Sequence, residues 1–98
     1  MQVSITGRHV NVTSNVKEHV MDKLERCLGL FPRIESVKVI LDTEKRDQVA
    51  EIVIQGADHI RVTAKEESEN LYDAIDRAIE HAERQMRKNR DKVQDHHK

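Results

Sequence analysis

A chain of 98 residues is long enough for one hydrophobic core without disulfide staples and too short for two ordinary domains. Charged residues make up 36% of it yet nearly cancel, to a net charge of -1, so the total implies neither a uniformly basic nor a uniformly acidic protein. One Phe, one Tyr and no Trp exclude the aromatic platform on which an RRM-like reader stacks bases, and the single Cys27 excludes a disulfide framework or a cysteine-based metal site.

The N-terminus alternates from its first residues and carries no basic segment followed by an apolar run, and no apolar segment approaches the roughly 20 residues of a membrane helix. A cytoplasmic protein without membrane contact is the expectation. Gln2 to Arg8 places Val3 and Ile5 on one side and Ser4 and Thr6 on the other, a short half-buried strand ending near Gly7. Thr13 or Ser14 caps a first helix in which Val16, Val20, Leu24, Cys27 and Leu28 follow at helical spacing, ending near Gly29 with Pro32 beyond. His19, Lys23 and Arg26 lie together along one edge of its apolar arc.

Val37, Val39 and Leu41 alternate through a second strand from Ile34 to Glu44, and Glu44-Lys45-Arg46-Asp47 makes a turn. Ala50, Ile52 and Ile54 carry a third strand to Gly56, Gly56-Ala57-Asp58 turns the chain, and Ile60, Val62 and Ala64 form a fourth before an acidic run. From Glu69 to Val93, Leu71, Ala74, Ile75, Ala78, Ile79, Ala82, Met86 and Val93 cover one arc of a long second helix. Strand, helix, three strands, helix predicts a two-layer α+β domain. Its four-stranded mixed sheet has the first strand parallel to the second and both helices on one face. The domain spans residues 1–93, with a flexible polar tail over 94–98.

Charge is sorted along the chain. Glu66, Glu67, Glu69, Asp73 and Asp76 occur with no base among them, whereas Arg84, Arg87, Lys88, Arg90 and Lys92 are interrupted only by Asp91. Arg77, His81, Arg84, Lys88 and Lys92 recur at steps of three or four and form a basic stripe beside the apolar arc. An ordinary charged surface would instead pair Glu80 with Arg84 and Glu83 with Arg87 at i, i+4, for a few tenths of a kcal/mol each. Clustered cations repel one another, and a phosphate backbone makes sense of that cost.

Nothing comparable supports catalysis. The histidines fall on different elements without i, i+4 pairing, Cys27 lies on an apolar face, and three scattered glycines make no phosphate loop. No enzyme, no cofactor, no metal and no small-molecule substrate are expected.

Met1-Gln2-x-x-Ile5-Thr6-Gly7, Lys23-Leu24-x-Arg26, Glu44-Lys45, Leu71-Tyr72-x-Ala74-Ile75-Asp76 and Arg84-Gln85-x-x-Lys88-x-Arg90 together resemble the ribosome hibernation-promoting factor family, which includes the ribosome-associated translation inhibitors. The resemblance runs over nearly the whole chain. It implies the same strand-helix-three-strand-helix domain, similar in order to a double-stranded RNA-binding domain with an added first strand. It further implies binding to the 30S subunit and the 70S ribosome, contact with 16S rRNA in the decoding region, exclusion of mRNA and tRNA, and inhibition of translation in stationary phase or stress. The positions matching the family's basic residues are Lys23, Arg26, Arg33, Lys45, Arg84, Lys88, Arg90 and Lys92; Arg77, His81 and Arg87 join them from the stripe and the cluster.

His81 stands where the family commonly has lysine. The chain resembles the family's short form, and two outcomes are open at this point: promotion of 100S ribosome dimers together with a separate ribosome modulation factor, or idling of 70S particles alone. Two alternatives remain open: a ribosome-independent double-stranded RNA-binding protein, and a protein-interaction module using Lys38, Ile40, Val53 and Lys65 on the open sheet face.

Overall fold

The computed structural model describes residues 1–95, with side chains through residue 89. The order is β1 (Gln2–Arg8), α1 (Ser14–Leu28), β2 (Ile34–Glu44), β3 (Asp47–Gly56), β4 (Arg61–Ser68) and α2 (Leu71–Asp95). The strands form one sheet in the order β1-β2-β3-β4. β1 lies parallel to β2, with Ile5 opposite Val39, and β2, β3 and β4 form an antiparallel meander. This is the predicted mixed sheet.

Alternation decides which face is covered. Val37, Val39, Leu41, Ala50, Ile52, Ile54, Val62 and Ala64 are buried in a single cluster with Val16, Val20, Leu24 and Leu28 of α1 and Ala74, Ile75, Ala78, Ile79, Ala82 and Met86 of α2. Both helices therefore rest on the same side of the sheet. The small residues Ala74, Ala78 and Ala82 line the buried stripe of α2, and small side chains let a helix lie close to the surface beneath it. On the opposite face Lys38, Gln55, Arg61, Thr63 and Lys65 are exposed, while Ile40 and Val53 are half-buried. Val49, which points to that face by alternation, is nonetheless buried at 3% exposure, outside the main cluster.

Thr13 is the N-cap of α1, its hydroxyl accepting from the Val16 amide at 3.2 Å. Gly29 closes the helix with φ -62°, in the right-handed region, so the left-handed stop that glycine permits is not used here. β4 runs further than alternation alone suggests, through Glu66 and Glu67 to Ser68, so the start of the acidic run belongs to an edge strand. Asn70 then caps α2, its side-chain oxygen accepting from the Asp73 amide at 3.2 Å, while the Ser68 hydroxyl donates to Asp73 at 2.8 Å.

Left-handed backbone at non-glycine residues occurs at His9 (φ 60°), just after β1, and in the two turns of the meander. Lys45 (φ 57°) begins the two-residue loop between β2 and β3, whose ends pair as Glu44 with Asp47. Asp58 (φ 59°) and His59 (φ 64°) turn β3 into β4, and this turn is tied to the start of β2 by the Ala57 amide donating to the Arg33 carbonyl at 2.9 Å.

Candidate nucleic-acid interface

The helices run parallel. His19 Nε2 lies 2.7 Å from Asp76 Oδ1, and one turn further along both helices Lys23 Nζ donates to Glu80 Oε2 at 2.8 Å. Equal steps of four in the same direction on both partners require parallel axes. The edge of His19 and Lys23 on α1 is therefore the seam with α2. Tyr72 packs edge-on against His19 there, with ring centroids 4.9 Å apart. Lys23 is left with 17% side-chain exposure, and its hydrogen bond to Glu80 raises its pKa above the ordinary lysine value against the opposing effect of burial. Cys27 continues the seam: burial pushes its thiol pKa up, and the nearby Glu83 carboxylate adds to the effect.

The other flank of α2 is fixed to β4. His81 Nδ1 lies 2.9 Å from Glu66 Oε2, and Gln85 Nε2 donates to the Thr63 carbonyl at 3.0 Å. His81 thus sits at the inner edge of the basic stripe with its ring committed to a strand carboxylate. Between the two anchored flanks lies the outer face of α2, where Arg77, Arg84 and Lys88 lie at helical positions within about 40° of one another.

Ion pairing sorts these cations. Arg77 pairs with Asp73 at 3.1 Å and Arg87 with Glu83 at 3.6 Å, both within the helix. Arg26 pairs with Asp22 at 2.9 Å, and Arg33 with Asp58 at 3.1 Å. The i, i+4 partner that spacing offers to Arg84 is Glu80, but Glu80 is engaged by Lys23 across the seam. Of the candidate cations whose side chains are described, Arg84, Lys88 and Lys45 are exposed and form no ion pair with a described residue. Of the two intrahelical pairs expected on an ordinary surface, only Glu83–Arg87 forms.

Position separates the candidates into two groups. α2 runs antiparallel to β4, since His81 meets Glu66 and Gln85 meets Thr63, so its C-terminal half lies at the end of the sheet where β2 begins and β4 starts. Arg84, Arg87 and Lys88 share that end with Arg33 and with Arg26, in the C-terminal half of the parallel α1. Lys45 is at the opposite end, beyond the far tip of the 11-residue β2, or about 35 Å away at 3.3 Å per residue. Arg90 and Lys92 lie on α2, but their side chains fall outside those described.

The helix-to-helix carboxylate ladder is what sequence reasoning missed. Its only trace in the sequence is the matched spacing of His19 and Lys23 with Asp76 and Glu80. No group of three or more His, Cys, Asp or Glu among the described residues could hold a metal ion, and no helix is long and apolar enough to cross a membrane.

Residues 3–94 match the family model described as Sigma 54 modulation protein / S30EA ribosomal protein. The chain is 38% identical over 96 residues to a ribosome hibernation promoting factor of Pseudomonas putida, covering 96% of this chain and 91% of that protein. It is 32% identical to the Escherichia coli ribosome hibernation promoting factor, covering 98% of this chain and all of the relative. Among solved structures, the N-terminal domain of Thermus thermophilus Protein Y superposes with a TM-score of 0.77 at 31% identity, over 87% of this chain and 94% of that one. A ribosomal subunit interface protein from Coxiella burnetii shares the fold at a TM-score of 0.86 and 21% identity, over 92% of this chain and 98% of its own.

Proposed function

This chain belongs to the Sigma 54 modulation protein / S30EA ribosomal protein family, that of the bacterial, non-enzymatic ribosome hibernation promoting factors, and from that premise we propose that it binds 16S rRNA in the decoding region of the 30S subunit. There it excludes mRNA and tRNA from 30S and 70S particles and silences translation in stationary phase or stress. It acts by occupancy in the cytoplasm, with no chemical step.

The observation that carries this reading is the pair Arg84 and Lys88, exposed on the outer face of α2 with no ion-pair partner among the described residues. A guanidinium and an ammonium left unneutralised on a rigid helix are ready to replace counterions on phosphate. Arg26, Arg33 and Arg87 flank them, held by carboxylates at exposed sites where ion pairs are weak and exchange readily with phosphate. Arg77, and Arg90 and Lys92 by their place in the sequence, extend the contact along α2. Lys45, at the other end of the sheet, touches a separate segment of rRNA, as an extended channel permits.

Co-sedimentation with 30S and 70S particles tests the reading. Binding weakens as salt rises, with each phosphate contact contributing roughly 0.7 to 0.9 to the log-log slope, and Arg84→Glu with Lys88→Glu abolishes it. Failure of the wild-type protein to sediment with 30S at low salt would refute the reading. Effective competition by naked duplex RNA would favour a ribosome-independent RNA binder instead.

A further inference from the structure

Lys23 matches a basic position of the family, yet it is the least exposed of the candidate cations in the described ion pairs, turned into the seam with 17% of its side chain accessible. Its partner Glu80 is also one helical turn before Arg84, at the i, i+4 spacing and in the favourable Glu-to-Arg order that forms surface ion pairs readily. One carboxylate therefore has two possible cationic partners. In the structure it takes the one across the seam, at 2.8 Å, and Arg84 has no ion-pair partner among the described residues. A second cross-seam contact lies one turn earlier, where His19 meets Asp76.

We propose that Lys23 supports RNA binding through Glu80, holding that carboxylate on the seam so that Arg84 stays free for phosphate, and that Lys23 is a positioning residue rather than a phosphate contact. Without it, Glu80 swings to Arg84 or stands as a bare anion beside the RNA. Either outcome weakens the phosphate contact without removing any group that touches phosphate. This rests on the rRNA-binding reading of the same helix face.

The test is a set of titrations of fluorescently labelled protein against purified 30S subunits, repeated between about 50 and 200 mM salt. Lys23→Gln weakens binding about three- to tenfold, whereas Glu80→Gln binds at least as tightly as wild type. The double variant Lys23→Gln/Glu80→Gln returns to within about twofold of wild type with an unchanged salt slope, because the anion that needed holding is gone. A merely structural clamp would make Glu80→Gln as weak as Lys23→Gln, since both break the same pair, and that result overturns the proposal. So does a double variant that stays weak with its slope reduced by roughly 0.7 to 0.9, which marks Lys23 as a direct contact. If wild type binds 30S and the double variant is not rescued, only the role of Lys23 falls; absence of wild-type binding removes both this role and the function.

Discussion

Glu80 directs its carboxylate across the helix seam to Lys23 Nζ, 2.8 Å away, and not along its own helix to Arg84. The choice makes Arg84 and Arg77 unequal although both lie on the outer face of α2, because Arg77 is held by Asp73 at 3.1 Å. Arg84→Gln should therefore weaken 30S binding more than Arg77→Gln, and should lower the salt slope by roughly 0.7 to 0.9. Equal losses in a salt-series titration would mean that pairing in the free protein does not rank the contacts.

Leu24 is fully buried where α1 meets the rest of the core. Leu24→Ala should cost about 2 to 5 kcal/mol, lowering the melting temperature by at least about 10 °C in a domain of this size. Calorimetry or a circular-dichroism melt reads this directly, and a shift of only a degree or two would mean that the site collapses around the smaller side chain.

Gly56 closes β3 against the start of β2. A Cβ there would run into the Arg33 carbonyl oxygen, which is backbone and already receives the Ala57 amide. Gly56→Ala should destabilise the protein by about 1 to 3 kcal/mol through forced backbone displacement, and it should also shift the Arg33 connection. Denaturant melts check the first effect, and amide chemical shifts around Arg33 and Asp58 the second.

The Cys27 thiol has a raised pKa because it is partly buried and then because Glu83 lies nearby. The reactive thiolate is thus scarce near neutral pH. Iodoacetamide at about pH 8 should label the folded protein well below the rate of the same chain in denaturant, where thiols titrate near the ordinary 8.5. Equal rates would contradict the buried placement.

Asp42 titrates below the ordinary aspartate range because His9 bonds its carboxylate at 3.0 Å and the Thr43 amide donates to it at 2.7 Å. A carboxylate with a depressed folded pKa contributes stability above its unfolded pKa of about 3.9, and that contribution fades as pH falls through the lower folded value. Asp42→Asn should therefore be less stable than wild type at neutral pH, with the gap closing in melts below about pH 4. A gap that stays constant into acid would show that the charge on Asp42 is not what matters.

Much of the fold is legible in the alternation of single residues. Val37, Val39 and Leu41 face the helices as their spacing implies, and Thr13 and the Glu44-to-Asp47 turn do what their local chemistry suggests. Local patterns stop short where a decision depends on distant residues. β4 continues through Glu66 and Glu67 because Ala50 and Val49 of β3 pair with them, which overrides the turn-like look of an acidic run. The edge of His19 and Lys23 reads from α1 alone as a contact stripe, since a helical wheel says nothing of what lies across from it. Its partners are 57 residues away, and only the parallel packing of two helices brings Asp76 and Glu80 opposite. The pairing of His81 with Glu66 is hidden for the same reason, as it depends on where α2 crosses β4.

The central claim is that Arg84 and Lys88, without an ion-pair partner among the described residues, hold the protein on the small ribosomal subunit. Sucrose-gradient sedimentation of purified 30S subunits with wild-type protein and with Arg84→Glu/Lys88→Glu, each verified as folded by its melt, tests it most directly. Wild-type protein in the 30S fraction at low salt, released as salt rises, with the variant left at the top of the gradient, is the predicted result. A variant that sediments with 30S as fully as wild type would contradict the claim.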